Sequence, residues 1–176
     1  MTARTFNVLF LCTGNSARSI LAEGILRKVG AGRFQAYSAG SYPKGEVNPM
    51  ALGVLQEFGF PVDGMRSKSW DEFAVPGAPK MDFVFTVCDQ AAGEACPVWP
   101  GQPVTAHWGI EDPSSSHGQG AMWERTAFTQ ALRYMKNRID AFVALPVQTL
   151  ERSALTARLN AIGQFEGASS PRPDVA

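Results

Sequence analysis

At 176 residues, with 45% apolar and 18% charged side chains, the chain is long enough to bury one full hydrophobic core and too apolar to stay disordered. Lysine plus arginine (16) balance aspartate plus glutamate (16), so there is no global field to draw nucleic acid or an anionic membrane. No apolar run approaches the roughly 20 residues of a membrane-spanning helix, and three cysteines are a poor basis for a secreted disulfide framework. Residues 1–5 run straight into the first apolar segment, which leaves no room for a signal peptide. A cytoplasmic protein with working thiols is the expectation.

Asn7-Val8-Leu9-Phe10-Leu11 reads as a buried strand, and it ends at Cys12. Thr13-Gly14-Asn15-Ser16-Ala17 makes a tight loop, and Arg18 opens a helix in which Leu21, Ile25 and Val29 recur four apart. Gly30 and Gly32 stop that helix, and 34–40 forms a second strand. Strand, helix and strand over so short a span imply a right-handed unit with parallel strands. Asn48-Pro49 starts another helix, carrying Met50, Val54, Leu55 and Phe58 on one side. The chain from 60 to 80 is irregular, with 65–70 expected near the first loop. A strand over 81–88 again ends in a cysteine, Cys88. A Gly/Ala/Pro-rich loop with Cys96 and Trp99 follows, then a short strand over 104–108 and a turn through Asp112-Pro113. A long helix is predicted over 122–145, with Phe128, Leu132, Met135, Ile139 and Phe142 on its core face and Arg133, Lys136 and Arg138 as solvated charge. Pro146 ends it, and a further helix is predicted over 150–162. There is no internal repeat.

The first loop carries the chemistry. Backbone N–H groups of the loop and helix start converge on one point, and Arg18 adds a planar pair of donors, which suits a tetrahedral oxyanion. Cys12 lies beneath, where the same positive field favours thiolate. Thr13, Gly14, Asn15, Ser16, Ala17 and Arg18 are therefore the expected substrate cradle, with Cys12 as nucleophile. A buried cysteine and a surface arginine would explain a lone C-x5-R, but not the strand, loop and helix together. Ser19 is placed to donate to the Cys12 thiolate. In open parallel sheets ligands bind beyond the carboxyl ends of the strands, so Cys88 and Asp112 are expected at the same mouth. Asp112 suits proton transfer to a leaving oxygen. Cys88 and Cys96 offer a second and third thiol for exchange. His107 is expected as a satisfied structural residue. A C-x7-C pair with His107 and His117 as the only histidines is a weak zinc signature, so no metal is expected.

The run from Val8 to Ser19, with Ala22-Glu23, Tyr37-Ser38-Ala39-Gly40, Asn48-Pro49, Val87-Cys88, Cys96-Pro97 and His107-Trp108-Gly109-Ile110-Glu111-Asp112-Pro113, resembles the low-molecular-weight protein tyrosine phosphatase superfamily, in its arsenate reductase branch. The resemblance covers about residues 6 to 145. It implies an α/β fold of three layers, a four-stranded parallel sheet in order 2-1-3-4 with helices on both faces. It also implies a catalytic domain over 1–146, leaving 147–165 as a C-terminal helical extension and 166–176 as a disordered tail. The implied activity is thiol-dependent reduction of arsenate to arsenite for arsenic detoxification, with phosphate and sulfate as competing oxyanions. Cys12, Arg18, Asp112, Ser19, Cys88 and Cys96 match the catalytic set. No bound cofactor is implied, only an external thiol reductant. The C-x7-C spacing matches neither family group, so glutathione with glutaredoxin and thioredoxin both stand. Some relatives hold potassium with residues like Asn15, Glu23 and Ser38 and an aspartate near position 69. Ser67-Lys68-Ser69 stands there in this chain, and a lysine can supply the positive charge instead. The competing readings are a phosphatase acting on phosphotyrosine or another phosphoester, and an oxyanion or redox sensor. Ser114-Ser115-Ser116 after Pro113 offers no ring to stack on phosphotyrosine, and a sensor has no need of Asp112.

Overall fold

The computed structural model describes residues 4–92, 99–116 and 118–169. Four parallel strands, β1 (Phe6–Cys12), β2 (Phe34–Gly40), β3 (Phe83–Thr86) and β4 (Val104–His107), lie in the order β2-β1-β3-β4. The expected strand order and helix-flanked parallel sheet are found. The helices are α1 (Arg18–Val29), α2 (Pro49–Glu57), α3 (Asp89–Ala92), α4 (Ala121–Val143) and α5 (Arg152–Gly163). Asn48 caps α2 as its sequence predicts, its Oδ1 accepting from Met50 N–H at 2.8 Å.

Strand alternation divides the core. Phe6, Val8, Phe10 and Cys12 of β1 face α1, α2, α4 and α5, while Leu9 and Leu11 face the opposite side. That second side is covered by the 3-10 turn Trp70–Phe73 and the chain from it to Met81, and by Trp99. Trp108 stacks on Phe85 with centroids 3.9 Å apart and donates Nε1–H to Leu159 O at 2.9 Å, so α5 is fastened to the end of β4.

Three expectations need correction. Arg138 is fully buried, not solvated, because it donates to the carbonyls of Tyr134 one turn back on α4 and of Phe165 and Glu166 just past the end of α5. The stretch after Cys88, expected as loop, begins as the helix α3. Residues 166–169, assigned to the tail, are tied to the body. Glu166 O accepts from Arg138, Ala168 pairs with Ile110, and Ser169 N–H donates to Gly109 O at 3.0 Å. Cys96, His117 and the rest of the tail lie outside the described residues.

Candidate active site

β1 ends at Cys12 beside Gly40 of β2, and the loop 13–17 leaves the sheet edge to enter α1. A Cβ on Gly40 would lie 2.5 Å from Thr13 O and 2.9 Å from Cys12 O, so only glycine lets β2 pass this close. Asn15 takes a left-handed conformation (φ 45), which asparagine tolerates better than other non-glycine residues. Its side chain turns beneath the loop, fully buried. Nδ2 donates to Ser19 Oγ at 2.8 Å and Ser38 Oγ at 3.0 Å, and Oδ1 accepts from Lys68 N–H at 2.9 Å. Ser38 passes the chain on to Glu23, which Arg27 holds at 2.6 Å and Lys68 Nζ approaches to 3.9 Å. Segment 65–70 thus does reach the loop, and the lysine does bring a cation to Glu23. Among the described residues no group of three or more His, Cys, Asp and Glu could hold a metal ion.

Above this scaffold is a pocket of about 210 Å³, lined by Cys12, Thr13, Gly14, Ser16, Ala17, Arg18, Tyr42, Lys44, Asp112 and Ser114. The first N–H groups of α1 have no side-chain cap, so they remain available to an anion. Arg18 donates Nη1–H to Ile110 O at 2.9 Å, which swings it toward the Asp112 turn. Its Nη2 lies 3.7 Å from Asp112 Oδ2, and its Nε is buried and unpaired among the described residues. Asp112 Oδ1 accepts from Ser114 N–H at 2.9 Å and Ser114 Oγ at 2.7 Å, so the Asp-Pro turn fixes its own carboxylate at the mouth.

Cys88 lies against the loop from the β3 side. Its sulfur accepts from Thr13 N–H at 3.3 Å and Ala91 N–H at 3.4 Å, with Thr13 Oγ1 at 3.6 Å. Cys12 is hydrogen-bonded to it as well. The Cys12 bond, joined by those of Thr13 and Ala91, outweighs burial and pushes Cys88 down to about 5. The same bond, reinforced by burial, holds Cys12 well above the ordinary thiol range, although Arg18 and the Gly14 N–H pull the other way. Burial and the pairing with Cys88 thus work against a charge on Cys12, while Cys88 collects more donors. The two thiols titrate as a pair, so a proton can pass between them.

The profile of the low molecular weight phosphotyrosine protein phosphatases matches residues 7–154. The chain belongs to that family. Among relatives in it, an arsenate reductase of Bacillus subtilis (strain 168) is 36% identical over 136 residues, covering 77% of this chain and 93% of the relative. A solved arsenate reductase in the phosphate binding state is 31% identical with a TM-score of 0.59, covering 77% of this chain and 97% of that one. A low molecular weight protein tyrosine phosphatase from T. tengcongensis is 25% identical with a TM-score of 0.60, covering 77% and 96%.

For this phosphatase-family chain, the structure brings Cys12, Arg18, Asp112 and Cys88 together as the sequence suggests. Two cradle and catalytic assignments change. Asn15 supports the loop from behind and does not line the pocket. Ser19 Oγ receives the Asn15 amide and makes no bond to Cys12. Tyr42 and Lys44 are mouth residues that sequence reasoning missed. They arrive because Tyr42 N–H donates to Thr13 O at 2.9 Å and Lys44 N–H to Gly14 O at 3.0 Å, laying the segment after β2 along the loop. The signal available was Gly40, which the β1–β2 register sets opposite Cys12.

Proposed function

We propose that this chain reduces arsenate to arsenite by a thiol relay that starts at Cys12. The observation that carries the reading is the second cysteine, Cys88, which accepts the Thr13 N–H directly beside Cys12, the cysteine that lines the oxyanion pocket. A phosphatase needs one thiol there, whereas a reductase needs two. Arsenate occupies the uncapped start of α1, with Arg18 across two of its oxygens. The Cys12 proton passes to Cys88, and the Cys12 thiolate attacks arsenic while Asp112 protonates the departing oxygen, so water leaves and a sulfur–arsenic bond forms. Cys88 gives that proton to an oxygen of the departing arsenic and attacks Cys12 Sγ. The sulfur–arsenic pair stays with arsenic, which departs as arsenite, and the two thiols are left as a disulfide. Cys96 then attacks Cys88, freeing Cys12 and moving the disulfide outward. An external thiol system, glutathione with glutaredoxin or thioredoxin, supplies two electrons per turnover in the cytoplasm. No metal takes part, and the residues after 146 act as an extension of the catalytic domain.

The test is multiple-turnover arsenate reduction, run separately with thioredoxin and with glutathione plus glutaredoxin. Arsenite beyond one equivalent with one of them supports the reading and names the partner. No arsenite with either, alongside brisk phosphotyrosine hydrolysis, would sink it. The second reading, phosphoester hydrolysis, draws support from Tyr42. It is 74% exposed at the pocket mouth and supplies the aromatic surface that the serines after Pro113 do not.

A further inference from the structure

His107 takes no part in the proposed chemistry, yet both of its ring nitrogens are engaged. Nδ1 is 2.7 Å from Thr86 Oγ1 and Nε2 is 2.7 Å from Asp89 Oδ1. A carboxylate only accepts, so Nε2–H donates to Asp89, and a singly protonated ring accepts the Thr86 hydroxyl at Nδ1. These two partners bracket Cys88, one two residues before it and the other directly after. Thr86 and His107 are also register partners across β3 and β4, so the ring lies over the strand that delivers the cysteine.

The C-terminal extension reaches the same point. Ser169 Oγ donates to Asp89 Oδ1 at 3.2 Å, and its N–H donates to Gly109 O at 3.0 Å. A Cβ on Gly109 would lie 2.6 Å from Asp89 Oδ1, 2.6 Å from His107 Nε2 and 2.8 Å from Ser169 Oγ, so the glycine leaves the space in which the three groups meet. Three segments are joined here: the start of α3, the end of β4 and the end of the extension. The join matters because α3 begins directly after Cys88 and supplies the Ala91 N–H that the sulfur accepts.

We infer that His107 is a positioning residue for Cys88, acting through Asp89 and Thr86, and that the C-terminal extension takes part through Ser169. The inference rests on the arsenate reductase reading, since only there does Cys88 react. In His107→Ala and Asp89→Ala, arsenate kcat is expected to fall roughly tenfold, the scale set by misplacing a reacting group, with KM within about twofold. Hydrolysis of p-nitrophenyl phosphate, which uses Cys12, Arg18 and Asp112 but not Cys88, stays within about twofold. Asp89→Asn keeps an acceptor for the ring and restores most of the turnover. Ser169→Ala removes one of the convergent bonds and gives about a threefold loss.

A second measurement stands apart from arsenate. In a Cys96→Ser background, oxidised glutathione takes two electrons from Cys12 and Cys88, and mass spectrometry follows their disulfide. His107→Ala slows it roughly tenfold. Disulfide formation at the parental rate, or an equal fall in both enzymatic activities, would overturn the inference. Ser169→Ala at full activity would remove the extension from it. A parent enzyme that turns over no arsenate defeats the proposed function instead, and the disulfide rate alone then decides the role of His107.

Discussion

The two buried cysteines meet at one hydrogen bond but arrive there in different ways. Cys12 ends a seven-residue strand paired along its whole length with β2, and the loop beyond it rests on Asn15, Ser38, Glu23 and Lys68. Cys88 follows a four-residue strand and directly precedes α3, held by Thr13, Ala91 and the His107–Asp89 join. The contrast fits the two steps asked of them. Attack on an anion needs a cradle that does not shift, whereas passing a disulfide outward needs a sulfur that can leave its first position.

Replacing the framed cysteine has the largest effect. Cys12→Ser is expected to abolish both arsenate reduction and p-nitrophenyl phosphate hydrolysis, and residual turnover of either above background would show a different nucleophile. Cys88→Ala separates the two sides. Arsenate turnover with any reductant should drop below a hundredth of the parent, while phosphoester hydrolysis persists, because only the reduction needs a second thiol. Full turnover in that variant would remove Cys88 from the mechanism.

The scaffold side breaks through stability. Glu23→Ala leaves Lys68 and Arg27 facing each other without their carboxylate, and about 3–5 kcal/mol of unfolding free energy should be lost in urea titration. A change under about 1 kcal/mol would mean the buried network carries little weight. Both activities should fall together here, unlike the separation in Cys88→Ala.

The smallest effect is spectroscopic. With Cys96→Ser, thiolate absorbance at 240 nm should report about one thiolate at neutral pH and vanish with a midpoint near 5, the value to which Cys88 is lowered from 9.0. A group depressed in the folded state lends stability that is complete above its unfolded value of 9.0 and is lost as pH falls through about 5. Cys12, raised from the same ordinary value, acts in reverse, and its contribution is lost as pH rises above 9.0. This pair should therefore make the reduced protein most stable near pH 9. A midpoint near 9 would place no charge on the pair at neutrality.

The strands, the main helices and the anion loop were legible because local signals set them: apolar runs, a four-residue repeat, and Asn-Pro at a helix start. Cys88 and Asp112 could be brought to the mouth from their positions at strand ends alone. The burial of Arg138 is not legible because its partners, Phe165 O and Glu166 O, come from a segment whose fold no local pattern ties to α4. Position in the loop does not reveal which side a left-handed turn presents, so the sequence reads Asn15 as cradle and leaves Ser19 free for Cys12, whereas the Asn15 side chain turns inward and engages Ser19. Tyr42 and Lys44 depend on backbone pairing between two loops, which leaves no mark in side-chain composition.

The uncapped start of α1 has a thermal consequence. A helix that gives up a side-chain cap is weaker by about 1 kcal/mol, and any tetrahedral anion that fills the place acts as a removable cap. Phosphate, sulfate or arsenate at about a hundred times its dissociation constant would add about 2.7 kcal/mol to the folded state. The melting temperature would then rise with oxyanion concentration, so the fold would be at its firmest where such anions are plentiful.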